Sequence, residues 1–243
     1  MAISSPPRGG EQTTGRRDRG LVAALVLAVA VVVVLAVVVA VLLARGGSAG
    51  SGLQGSGVAA AQSRVLPSFS SVELAGSNKV TVEVGRPQSV VVHADNNLVR
   101  HVTTKVMGGT LVIGTTGTFT TSSPMSVDVS LPALAAIRLS GSGEISVNGI
   151  DQPRLIVTLS GSGALDATGT ATQLDVTLSG SGLAQLSNLV ARDVHAVVAG
   201  SGLIRVAPTA FLNAAVPGSG AIIYSGNPQV TSSVTGTGAV THE

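Results

Sequence analysis

Beyond residue 134 one short motif returns six times: Leu139-Ser-Gly-Ser-Gly, Leu159-Ser-Gly-Ser-Gly, Leu178-Ser-Gly-Ser-Gly, Val198-Ala-Gly-Ser-Gly, Val216-Pro-Gly-Ser-Gly and Val234-Thr-Gly-Thr-Gly. The leading glycines Gly141, Gly161, Gly180, Gly200, Gly218 and Gly236 lie 20, 19, 20, 18 and 18 residues apart. A second glycine follows two residues later in each, at Gly143, Gly163, Gly182, Gly202, Gly220 and Gly238. A near-constant period of this size belongs to a solenoid, in which a repeat cannot bury its apolar side alone and stacks on its neighbours.

Counted from the leading glycine, position −2 reads Leu139, Leu159, Leu178, Val198, Val216 and Val234, and position +4 reads Ile145, Leu165, Ala184, Ile204, Ile222 and Val240. The odd positions between are mostly small or polar. This is period-two alternation, so each repeat is one coil of short strands with one buried face. Equivalent strands of successive coils then pair in parallel at about 4.8 Å, and like residues stack on like. A β-sandwich has no reason to repeat one residue class at one phase six times. Even parity aims both glycines of each triplet inward, where a side chain would crowd the interior, and glycine's access to positive φ would ease a corner. The stretch 71–134 reads as a degenerate start of the same coil, with Gly76 in the triplet position, strands at 89–94 and 110–113, and a polar loop at 115–123.

One other segment constrains the chain. An uncharged apolar run begins at Leu21 and ends at Ala44. As a helix it is about 36 Å long, against a hydrocarbon core of about 30 Å, and in lipid only a helix satisfies the backbone of so Val-rich a segment. Arg16, Arg17 and Arg19 precede it and Arg45 follows. The positive-inside bias therefore predicts a single-pass signal-anchor in the plasma membrane, with the N-terminus cytoplasmic and the C-terminal domain outside. Ala59-Ala60-Ala61 offers a cleavage-like pattern, but lies about fifteen residues beyond the run, too far for usual processing. The expected organisation is a disordered cytoplasmic tail (1–20), the span (21–44), a flexible Gly/Ser tether (45–64) and the β-helix (65–243).

Charge and composition remove several functions. Of 14 basic and 12 acidic side chains, five basic and two acidic lie before Gly46, leaving nine basic against ten acidic in the body. With one Tyr, three Phe and no Trp, that body lacks both the basic face and the stacking platform of a nucleic-acid binder. Cysteine is absent, which removes disulfides, thiolate metal sites and cysteine nucleophiles. Gly-Ser-Gly is not a phosphate loop, since neither a Gly-x-Gly-x-x-Gly helix start nor a following Lys accompanies it. Asp175 and His195 share position −5 in adjacent coils, a pairing that can orient an imidazole but here comes without a nominated nucleophile. Glu144, Asp151, Asp166, Asp175 and Asp193 are scattered over several columns, and the histidines His93, His101, His195 and His242 show no metal-ligand spacing. No catalytic residue, metal or cofactor is expected. Position +3 is unusual for an outward column: Glu144, Ala164, Leu183, Leu203, Ala221 and Ala239 form an apolar strip, suited to packing under a loop or tether or to docking a partner. The last coil, 234–240, leaves a ladder edge that could recruit another chain, covered at most by His242 and Glu243.

The Gly-Thr-Leu strand at 109–111, Leu131-Pro-Ala-Leu134 before the first triplet, the successive triplets and the late Tyr224-Ser-Gly-Asn-Pro228 together resemble the auto-transporter adhesin head GIN domain of bacterial envelope proteins. The resemblance covers roughly 69–241. It implies a single-stranded right-handed parallel β-helix and an adhesin-like role, and brings no catalytic residues. The signal-anchor and the lack of a translocator barrel depart from true auto-transport. The function expected is a non-enzymatic, membrane-anchored envelope protein displaying its β-helix to a protein or glycan partner; the alternative is a carbohydrate-binding or carbohydrate-active β-helix, weakened by the scarcity of aromatics.

Overall fold

Alternation sets the strands, and the computed structural model describes residues 52–243, the unit Gly52–Glu243. The predicted tail and the span from Leu21 to Ala44 lie outside the described residues. Among the described residues no helix is long and apolar enough to cross a membrane. The N-terminal layers comprise β1 (Leu53–Gln54), β2 (Ala59–Ser63), β3 (Ser71–Leu74), β4 (Lys79–Val84), β5 (Ser89–Asp95) and β6 (Val102–Met107). They continue with β7 (Thr110–Thr115), β8 (Phe119–Thr120), β9 (Ser126–Leu131) and β10 (Ala136–Leu139). The regular coils follow as β11 (Glu144–Leu159), β12 (Ala164–Leu178), β13 (Leu183–Val198), β14 (Leu203–Val216), β15 (Ala221–Tyr224), β16 (Gln229–Val234) and β17 (Ala239–His242).

From β10 onward every pairing between coils is parallel and in the expected register. Glu144 faces Ala164, Ala164 faces Leu183, and Leu183 faces Leu203. The inward columns are fully buried: Leu139, Leu159, Leu178, Val198 and Val216 are at most 1% exposed. The chain is an all-β β-solenoid around one hydrophobic column. Gly76 belongs to this stack, because β3 pairs with β10 in register and Gly141 sits against the Gly76 backbone.

Four expectations change. First, β11 to β14 are single strands of 14–16 residues that turn through register shifts, such as that between Val147 and Ile150, rather than several short strands. A bulge bends a strand without ending its ladder. Second, the triplet glycines are not there for positive φ, since none of them has it. A Cβ on Gly161 would fall inside the contact distance of the Gly141 carbonyl oxygen, and the same holds for Gly180 over Gly161, Gly200 over Gly180 and Gly236 over Gly218. A Cβ on Gly163, Gly202, Gly220 or Gly238 would meet the Gly143, Gly182, Gly202 or Gly220 oxygen and also a core methyl of Leu139, Leu178, Val198 or Val216. Glycine stacks on glycine because neighbouring coils touch backbone to backbone at this corner.

Third, the tether is shorter than 45–64. β2 pairs antiparallel with β5, and β1 pairs with β8, so the folded unit begins at Gly52 rather than residue 65. The exposed faces of Ala59–Ser63 carry no hydrophobic alternation, and it is their backbone groups that β5 recruits. The same pairing places Phe119–Thr120 in a short strand within the predicted 115–123 loop. Fourth, the first layers are not wholly parallel: β5 with β9, and β6 with β7, run antiparallel. A tight turn at Gly108 and Gly109, both at positive φ, returns the chain directly from β6 into β7.

Candidate interaction face

Outward residues of the long strands stack into two ladders before each glycine corner. One runs Arg154, Gln173, Asp193, Phe211, Gln229, and its neighbour runs Ile156, Asp175, His195, Asn213, Thr231. All of these but Ile156 line an open groove of about 410 Å³. These positions point out of the core in every coil, so their variation from Arg to Asp to Phe along the ladder is unconstrained by packing. Phe211 is 49% exposed, the largest ring on this face. Asp193 keeps Oδ1 without a hydrogen-bond partner among the described residues.

Asp175 and His195 are adjacent rungs, as their shared column requires. The Asp175 carboxylate, however, turns to Arg154, whose Nη2 and Nε donate to Oδ2 at 2.8 and 2.9 Å. A charged two-point contact outcompetes a single bond to the imidazole, and His195 is left as an exposed ring of the groove. The arrangement can present donors, acceptors and one aromatic face to a ligand. Among the described residues no three of His, Asp and Glu come together as a metal site.

Leu183 and Leu203 also stand on adjacent rungs, but past the glycine corner and away from that groove. Leu183 is 37% exposed and Leu203 half-buried. Leu183 instead borders a second groove, of about 460 Å³, floored by the Gly-Ser-Gly corners and the hydroxyl-bearing Ser77, Ser142, Ser162 and Ser181. Lys79 and Glu144 pair at 3.0 Å within it.

A residue with no signal in the sequence organises the N-terminal layers. Asp95 is fully buried at the end of β5. Its Oδ2 accepts from the N–H of Ser122 at 2.9 Å and of Ser123 at 3.3 Å. Its Oδ1 accepts from the Gly57 N–H at 3.0 Å and the Ser123 hydroxyl at 2.8 Å. The Ser122 N–H first, then the other donors, hold the carboxyl below its ordinary range against the opposing pull of burial. This one side chain fastens both the strap before β2 and the loop after β8. Its partners lie 27 to 38 residues away, so no local motif announces it.

Residues 68–228 match the family described as putative auto-transporter adhesin, head GIN domain. The fold recurs in the crystal structure of a putative adhesin from Bacteroides fragilis, at 21% identity and TM-score 0.66, covering 79% of this chain and 100% of that one. A putative adhesin from Parabacteroides distasonis shares 22% identity at TM-score 0.53, over 79% of this chain and 99% of its own. A protein of the same organism described as a putative lipid binding protein shares 20% at 0.51, with the same coverage. At these identities the likeness is one of fold. A search of curated proteins finds no match.

Proposed function

We propose that this chain, which belongs to the putative auto-transporter adhesin, head GIN domain family, is a non-enzymatic interaction module displayed on the outside of a bacterial plasma membrane. Residues 21–44 hold it there as a single-pass anchor with the N-terminus cytoplasmic, supported by the length of the apolar run and the arginines before it. The solenoid winds right-handed, as the family resemblance implies. The observation that carries the reading is the division of labour in the coils. In the regular coils after residue 135 the interior is a packed hydrophobic column, while the chemical variety lies outside, as in the ladder groove of Arg154, Asp175, Asp193, His195, Phe211 and Asn213.

A glycan partner is the second reading, favoured by the exposed Phe211 ring standing among the amides of Gln173, Asn213 and Gln229. The test is binding of residues 52–243 to arrayed envelope proteins and glycans, with product analysis of every glycan bound. Saturable binding lost on Phe211→Ala or His195→Ala, without turnover, is the expected result. Binding unaffected by either change would move the site off this face, and glycan cleavage abolished by His195→Ala would make the protein an enzyme.

A further inference from the structure

The groove of the two outward ladders holds three fixed charges that do not balance. Arg154 and Asp175 neutralise each other through the contacts described above, which leaves the carboxylate of Asp193. Among the described residues Asp193 belongs to no ion pair, and its Oδ1 is shut away from water with no donor in reach. Its sequence neighbour Arg192 does not line the groove. A dry carboxylate oxygen without a donor destabilises the fold, and a donor brought from outside removes that penalty. The last torsion of a carboxyl group is broad and twofold, so either oxygen can be turned to the open groove.

The neighbours of Asp193 select the donor. Phe211 stands one rung on and His195 two residues along the same strand, at Cα distances of about 5 and 7 Å. The ladder continues past Phe211 to Gln229, so the exposed ring lies within the face. A carboxylate beside the open face of a ring attracts a cation twice over, by its charge and by the ring's quadrupole. A guanidinium meets both at once, lying flat on the ring while its edge donates to the carboxylate, whereas an ammonium is a compact, strongly hydrated point charge. The face already contains this solution in Arg154 on Asp175. Gln229 and Asn213, each beside Phe211, offer side-chain carbonyls to the remaining N–H groups.

We infer that this groove takes an arginine side chain of a protein partner, its guanidinium stacked on Phe211 and hydrogen-bonded to Asp193. The inference rests on the reading of this face as the binding surface and names the chemistry of what it binds. Charge complementarity sets the cation, since the groove's one uncompensated charge is negative. Size sets the partner: Asp193 and Phe211 together span a single rung, which holds one side-chain head group, and neither Tyr, Trp nor a second Phe lines the groove for a sugar chain to stack along.

Residues 52–243 carry their own core, so amide-resolved nuclear magnetic resonance of that segment is the test. The probes are capped pentapeptides with a central arginine or with citrulline, which keeps the shape and loses the charge. The arginine peptide should move the amide signals of Asp193, His195 and Phe211 to saturation in the millimolar range, and the citrulline peptide should bind at least about tenfold more weakly. Asp193→Asn should cause the same loss with an unchanged melting temperature, while Asp166→Asn, which removes a carboxylate from another face, should cause none. Equal binding of the two peptides, no saturable shift with arginine, an Asp193→Asn variant that binds like wild type, or tighter binding of a glucosamine oligomer at the same amides would overturn the inference. Arrayed envelope proteins separate it from the reading beneath it: capture lost on Phe211→Ala but indifferent to Asp193→Asn removes the arginine alone, whereas capture indifferent to both removes the face as well.

Discussion

Placing one methyl group on Gly161 tests the reason for the glycine triplets. The added carbon would overlap the Gly141 carbonyl oxygen and lie 2.8 Å from its carbon and 3.2 Å from its nitrogen. Ordinary contact needs 3.4 Å or more, and the obstacle is backbone, which cannot rotate away, so the two coils must part by about 1 Å at this corner. The flanking bonds from Ser160 N–H to Leu139 O, at 2.9 Å, and from Ala164 N–H to Gly143 O, at 3.0 Å, then stretch beyond bonding range. Two lost ladder bonds cost about 1–3 kcal/mol together, and loosened packing in the adjacent core adds about 1 kcal/mol. For a unit of this size the total of about 2–4 kcal/mol lowers the melting temperature by about 4–16 °C. Differential scanning calorimetry of Gly161→Ala against Ser162→Ala measures it, because Ser162 is exposed at the same corner and its loss should be nearly neutral. If the two variants melt together, neighbouring coils do not touch at the glycines and the stacking argument fails.

Gly85 is the opposite case: it has φ +85° with nothing within 4 Å of an added Cβ, so Gly85→Ala should cost only the conformational strain of about 1–2 kcal/mol, read in the same calorimeter. Asp95→Ala should speed hydrogen exchange at Gly57, Ser122 and Ser123 selectively at neutral pH, leaving β12 to β14 protected; uniform loss of protection would show that Asp95 is not a local fastening. Because the folded Asp95 pKa lies below its ordinary value of 3.8, the stabilisation is complete above that pH and disappears as pH falls through the lower folded value, so exchange at those three amides should rise only in that acid window. Deleting residues 21–44 should release the protein from the membrane fraction of its host, and protease added to intact spheroplasts should digest the solenoid of the full chain but spare the N-terminal tail.

The period, the burial parity and the parallel register of the coils were legible because identical positions must stack, and stacking leaves its mark on every repeat. Leu139, Leu159 and Leu178 announce the column, and even the isolated Gly76 could be placed by phase. Where the chain leaves the repeat, that source of information ends. Ala59–Ser63 joins the sheet through backbone groups alone, and a strand exposed on both faces has no hydrophobic pattern to read. The antiparallel return of β6 and β7 depends on the turn at Gly108 and Gly109, which sequence phase does not encode. The adjacency of Asp175 and His195 followed from their shared column, but its chemistry did not, because Arg154 takes the carboxylate from the rung below. Asp95 was invisible for a related reason: its meaning lies in donors from two distant segments. The sequence predicts glycine at the corner for its lack of a side chain, while the force behind it, a backbone carbonyl of the coil beneath, exists only once the coils are stacked.

The solenoid itself is tested most directly by distances along its serine ladder. The chain has no cysteine, so nitroxide pairs can be placed at Ser142 with Ser201, Ser142 with Ser219, and Ser142 with Thr237 without altering another site. Coils stacked in register at about 4.8 Å put the Cα atoms about 14, 19 and 24 Å apart, and pulsed electron resonance should find separations that grow by one equal step per coil. Distances that fail to increase in order, or that jump by the roughly 10 Å between facing sheets, would contradict the stacked column on which the proposed surface is displayed.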